Sequence, residues 1–209
     1  MIKNFLKVAI TVCGLIAFVS ANAQDIPISI SGQVGYASPQ GSAFENEKGE
    51  KMSKFGIGVD LDVLWHFEQL EYKLGLGLTW NTSFLLGADL GDEGLGDIGM
   101  YGLSLYGVKG HWRFLEGKVS PYGALSLGLS QLSTPEVSMT DFDGNKIILA
   151  ESKSSFSFGI RPEIGVELGG FLVSVGYFFP MKYTIEDHSV GNAGNLQFNI
   201  GYRYILFDR

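Results

Sequence analysis

Cysteine is all but missing from this chain. The single one, Cys13, lies close to the N-terminus. A protein processed past that point has no disulfide, no thiolate nucleophile and no cysteine metal ligand. Proline is scarce at 6 residues, which excludes collagen-like and proline-rich disordered chains. Histidine is limited to His66, His111 and His188, and no Gly-x-Ser-x-Gly occurs. The nucleophile elbow of the α/β hydrolases is therefore absent. There is no run of basic residues, and the formal net charge is −7, which becomes −9 once Lys3 and Lys7 are removed with the N-terminal segment. Such a chain does not neutralise phosphates, so no nucleic-acid partner is expected. No apolar run is long enough for a membrane-spanning helix of about 20 residues.

What is abundant points elsewhere. Glycine, at 29 residues, is about twice its usual share of roughly 7%, and there are 15 Phe, 9 Tyr and 3 Trp. The N-terminus reads as an export signal: Lys3 and Lys7, then an apolar run over 8–20, then the small-x-small site Ala21-Asn22-Ala23. The run is too short to span a membrane as a helix. Residues 1–23 are therefore expected to be a cleaved signal peptide and 24–209 a single domain.

The domain reads as eight strands. The last, 195–207, alternates Leu196, Phe198, Ile200, Tyr202, Tyr204 and Leu206 against Gln197, Asn199, Gly201 and Arg203. Period-two alternation is a strand with one apolar and one polar face. Residues 54–67 alternate as cleanly, with Phe55, Ile57, Val59, Leu61, Val63, Trp65 and Phe67 opposite Gly56, Gly58, Asp60, Asp62 and His66. So do 154–168, with Phe156, Phe158, Ile160, Ile164 and Val166 opposite Gly159, Arg161, Glu163 and Glu167. The remaining strands are expected at 26–37, 72–82, 100–114, 119–133 and 171–182. Apparent slips of parity near Ser31-Gly32 and near Tyr106-Gly107 suggest bulges. The connections alternate: long at 38–53, 84–99, 134–153 and 183–194, short at 68–71, 115–118 and Gly169-Gly170, a hairpin signal.

Parity does not say which face points inward. A secreted lipocalin-like carrier would bury the large face around a ligand. A transmembrane barrel turns it to lipid and has short periplasmic turns and longer outer loops. Up to seven large side chains on one face, in several strands, would overfill an eight-stranded interior, and the alternation of loop lengths fits the membrane case. The chain is expected to be all-β, an eight-stranded antiparallel up-and-down transmembrane β-barrel. Its aromatic residues, Tyr72, Trp80, Tyr101, Trp112, Tyr177, Tyr202 and Tyr204 among them, suit interfacial girdles. With its signal segment, its strands, Ser120-Pro121-Tyr122-Gly123-Ala124 and the final Gly201-Tyr202-Arg203-Tyr204, the chain resembles the small outer-membrane β-barrel proteins of Gram-negative bacteria, of the OmpX-like type. The resemblance implies a bacterial outer-membrane location, lipid contact, insertion by the barrel-assembly machinery and a monomeric state. The family's final aromatic stands in phase with the outward row. Here Phe207 is out of phase and Asp208-Arg209 follow.

Some barrels of this kind modify lipids, so an enzymatic alternative needs a site. His66 and His111 fall near the periplasmic ends. His188 sits between Asp187 and Ser189, whose side chains diverge. Asp141, Asp143 and Asn145 are spaced like the start of a calcium loop, but the twelfth position is Ser152, not glutamate. No catalytic residue, cofactor or metal site is expected, and the protein reads as a non-enzyme with a structural or surface-interaction role. The inward charges Asp60, Asp62, Arg161, Glu163 and Arg203 fall at similar depths in a narrow lumen and are expected to pair there.

Overall fold

The structure, a computed structural model, describes residues 27–46, 48–67, 70–71, 73–87, 97–140, 146–185 and 188–206. The expected signal segment, the Asp141–Asn145 motif and Phe207 lie outside these residues.

Eight strands close an antiparallel barrel in the order β1-β11-β10-β9-β6-β5-β3-β2. They are β1 (Ile28–Gln40), β2 (Ser53–His66), β3 (Leu74–Gly87), β5 (Tyr101–Arg113), β6 (Val119–Ser133), β9 (Ser154–Leu168), β10 (Phe171–Ile185) and β11 (His188–Ile205). Three further strands, β4 (Asp97–Ile98), β7 (Val137–Thr140) and β8 (Lys146–Ala150), form a small sheet within the connections. The last strand closes on the first in unbroken register from Ser29↔Ile205 to Gln40↔Gly194. A closed barrel leaves no sheet edge in its wall.

The large apolar face points outward. Ile164 is 67% exposed and Ile200 63%, whereas Arg161 is 0% exposed. This inversion excludes the lipocalin-like arrangement, whose charges would lie outside. The glycines sit where large inward side chains need room. A Cβ on Gly176 would stand 2.5 Å from Arg161 Nη2, and one on Gly165 2.6 Å from the Tyr122 ring. Gly169 and Gly170 have φ of 58° and 97° and alone connect β9 to β10, a turn only glycine makes without strain.

Three expectations are corrected. No bulge interrupts β1, whose register with β2 runs unbroken through Ser31↔Asp62 and Gly32↔Leu61. Ile30, Gly32 and Val34 share one parity, and the small Gly32 only looks like a change of face. No bulge interrupts β5 either, since its pairing with β3 is continuous from Tyr101 to Trp112. Tyr101, Leu103 and Leu105 point inward because the interior itself turns apolar at that end. The expected loop 183–194 is mostly strand: β10 and β11 overrun the wall and pair as far as Ile185↔His188. The actual irregularities in their pairing fall between Phe178 and Met181 and between Tyr183 and Thr184. The first spans Pro180, which has no N–H for the ladder.

Candidate functional site

Among the described residues the barrel interior gathers the largest set of buried charged and polar side chains, and it is layered. At the end where β1 and β2 are joined by 41–52, the interior is apolar: Ala37, Leu85, Leu103, Leu105, Leu132, Phe178 and Tyr183 are buried together. Phe44 comes from the 3-10 turn Ser42–Phe44, not from the wall, and its ring meets Tyr101 edge-on at 5.3 Å. The Tyr183 hydroxyl finds its partner in Ser130.

Beneath lies an amide layer centred on Gln197 of β11. Its Oε1 accepts from Asn81 Nδ2 at 2.9 Å and from Arg161 Nη2 at 3.0 Å. Its Nε2 donates to Ser83 Oγ at 2.6 Å and to Asn81 Oδ1 at 3.2 Å. Gln197 thereby ties β11 to β3 and β9 across the lumen.

The ion layer is next. Arg161 Nη2 stands 2.7 Å from Asp60 Oδ2, and Arg161 Nη1 donates to Glu163 Oε2 at 2.7 Å. Lys109 Nζ donates to Asp62 Oδ2 at 2.8 Å and to Glu163 Oε2 at 3.1 Å. Glu163 also accepts from the Tyr122 hydroxyl at 2.8 Å, and Asp62 from the Ser31 hydroxyl at 3.1 Å. All five charged side chains are essentially inaccessible. Burial of a charge is tolerable only with partners of this kind.

Four of the five expected residues are thus brought together, and one is not. Arg203 lies nearer the opposite end, where its Nη1 donates to Glu167 Oε2 at 2.7 Å and to His111 Nε2 at 3.0 Å, and its guanidinium carbon lies 5.9 Å from the Tyr122 ring centre. His111 accepts through Nε2, so its imidazole is neutral. The fifth member of the ion layer is Lys109. It stands on the inward parity of β5 with Leu105 and His111, and the supposed bulge at Tyr106-Gly107 hid that parity. A continuous reading of β5 exposes it.

Two features bear on catalysis. Ser29 Oγ lies 2.7 Å from His66 Nε2, a nucleophile–base spacing, but both side chains are buried in the lumen. They lie at the end of the short turns 67–73 and 114–118. His188 is in β11, and its side chain lies outside what is described. Among the described residues no group of three or more acidic, histidine or cysteine side chains is placed to hold a metal.

No family model matches the chain, and no curated protein matches it. Solved structures do. Ail, the attachment invasion locus protein of Yersinia pestis, in complex with the heparin analogue sucrose octasulfate, is 20% identical over 87% of this chain and 100% of its own, with a TM-score of 0.51. Neisserial surface protein A is 15% identical over 86% of this chain and 97% of its own, with a TM-score of 0.54. At these identities the likeness is one of fold: the chain has the architecture of the small eight-stranded outer-membrane β-barrels.

Proposed function

We propose that the protein is an integral, non-enzymatic barrel of the bacterial outer membrane, exported by its N-terminal segment, that acts through its outer connections and does not conduct. The observation that carries this reading is the inversion of the barrel. Large apolar side chains cover the wall from Ile30 and Phe55 to Phe171 and Ile200, while Asp60, Asp62, Lys109, Arg161 and Glu163 are enclosed. In water such a wall would be one continuous sticky surface. In a bilayer it is the required lipid face. Outer-membrane lipid is then the principal partner, the barrel-assembly machinery inserts the chain, and the protein works as a monomer.

In this reading the connections 41–52, 88–100, 134–153 and 186–187 face outward, and the turns 67–73, 114–118 and 169–170 face the periplasm. Each outer connection holds more acidic than basic residues. A polysulfated ligand like the one bound to Ail would be repelled, so a cationic or uncharged surface is the better fit. The reading is tested by cell fractionation with electrophoresis of unheated and boiled samples. A sarkosyl-insoluble outer-membrane band whose mobility changes on boiling is expected. Recovery as a soluble periplasmic or secreted protein would overturn the reading.

A further inference from the structure

The chain between β1 and β2 does more than connect them. It turns at Gly41, whose φ is 107°, makes the 3-10 turn Ser42–Phe44, and leaves Phe44 only 2% exposed over Tyr101. It is folded onto itself by Met52 N–H donating to Phe44 O at 2.8 Å, by Asn46 Oδ1 accepting from Glu50 N at 2.9 Å and by a bridge between Glu45 and Lys51. It lies against β11, where Asn192 N donates to Ser42 Oγ at 3.1 Å. That approach needs two bare backbones. A Cβ on Gly41 would fall 2.2 Å from Asn192 O, and one on Gly191 2.8 Å from Ser42 Oγ and 2.9 Å from Ala43 N. Phe44 therefore reaches the barrel mouth on a segment outside the wall's ladder of hydrogen bonds, and that segment can lift without breaking the ladder.

We propose that 41–52 is a lid, that Phe44 is the seal of the outer mouth, and that this apolar seal and the ion layer below it close the lumen independently and in series. The two layers stop ions by different physics. The side chains of Leu85, Leu103, Leu105 and Phe178, clustered with Phe44, offer water no hydrogen bonds, and the Tyr183 hydroxyl among them is already paired with Ser130, so a thread of water does not persist there. The ion layer fills the bore with paired side chains anchored on β2, β5 and β9. Between them the amide layer around Gln197 is polar, and it hydrates once the lid is raised. The proposal rests on the outward orientation of 41–52 given above.

The test uses the full chain, whose only native cysteine is Cys13. Ser83→Cys places a thiol in the amide layer, and the small cationic reagent trimethylammonioethyl methanethiosulfonate is added to intact cells. Slow modification is expected with the native lid. Modification faster by an order of magnitude is expected with Phe44→Ala, and also with Gly191→Ala, which disturbs the lid's seat without touching the ring. Every variant is first shown to be folded by its unboiled mobility. Equal rates in all three backgrounds would overturn the lid. Acceleration seen only when the reagent reaches the other face of isolated membranes would uphold the lid and overturn the orientation. In planar bilayers, Phe44→Ala alone should stay silent, and steady current should need a change in both layers, such as Phe44→Ala with Lys109→Met. Steady current through Phe44→Ala alone would overturn closure in series.

Discussion

Arg161 is the side chain on which the interior depends most. It contacts Asp60, Glu163 and Gln197 at once, from β9 to β2 and β11. Replacing it with alanine leaves carboxylates buried without their partner, and Arg161→Ala is expected to destabilise the barrel by about 3–5 kcal/mol. Urea unfolding in detergent, followed by loss of the unboiled band, measures this; a loss no larger than that of Arg113→Ala would contradict it, since Arg113 is only 3.9 Å from Glu167 and partly exposed. The same methods apply to Gly176→Ala, whose new methyl would press on the same guanidinium and shift it off Asp60. At the periplasmic rim the effects are smaller and depend on pH. Lys73 binds Glu71 and Glu116 and so joins two turns. The hydrogen bond from Lys73 holds the Glu116 carboxyl below its ordinary 4.5, and the hydrogen bond that Lys73 donates to the Glu71 carboxylate raises Lys73 above its ordinary 10.5. A depressed carboxyl stabilises fully above 4.5, and the contribution is lost as pH falls through its lowered folded value. A raised ammonium stabilises fully below 10.5, and the contribution is lost as pH rises through its own higher value. The rim contact is therefore complete between those limits. An NMR titration should place the Glu116 midpoint below that of an unfolded glutamate; a midpoint at or above it would contradict the contact.

At the scale of elements, strict alternation made β2, β9 and the wall portion of β11 legible, because each keeps one chemistry per face along its length. β5 was not, because its inward row runs from Tyr101, Leu103 and Leu105 to Lys109 and His111. A row that changes polarity with depth mimics a slipped strand. The loss of Lys109 from the expected charge group followed from that one misreading. The overrun of β10 and β11 was equally hidden, since residues 183–194 have a turn-like composition that cross-strand pairing overrides. Depth estimates brought Asp60, Asp62, Arg161 and Glu163 together but could not see that Glu167 would take Arg203. The connections make a prediction of their own. Trypsin added to whole cells should cut, if anywhere, at Lys48, Lys51, Lys146 or Lys153, in the outer connections. Peptide mapping that finds cleavage after Lys118, in the turn between β5 and β6, would invert the topology.

At the scale of the molecule, the account turns on which solvent the wall faces. The three tryptophans decide it, since Trp65, Trp80 and Trp112 all stand on the outward rows of β2, β3 and β5, and Trp80 and Trp112 are both substantially exposed. The purified protein is refolded into liposomes of phosphatidylcholine with brominated acyl chains, and its fluorescence is compared with that in unbrominated lipid and in the presence of iodide. The expected result is strong quenching by the brominated chains and little by iodide. Strong quenching by iodide with none from the brominated chains would mean that the apolar wall faces water or protein, and the membrane-barrel account would be wrong.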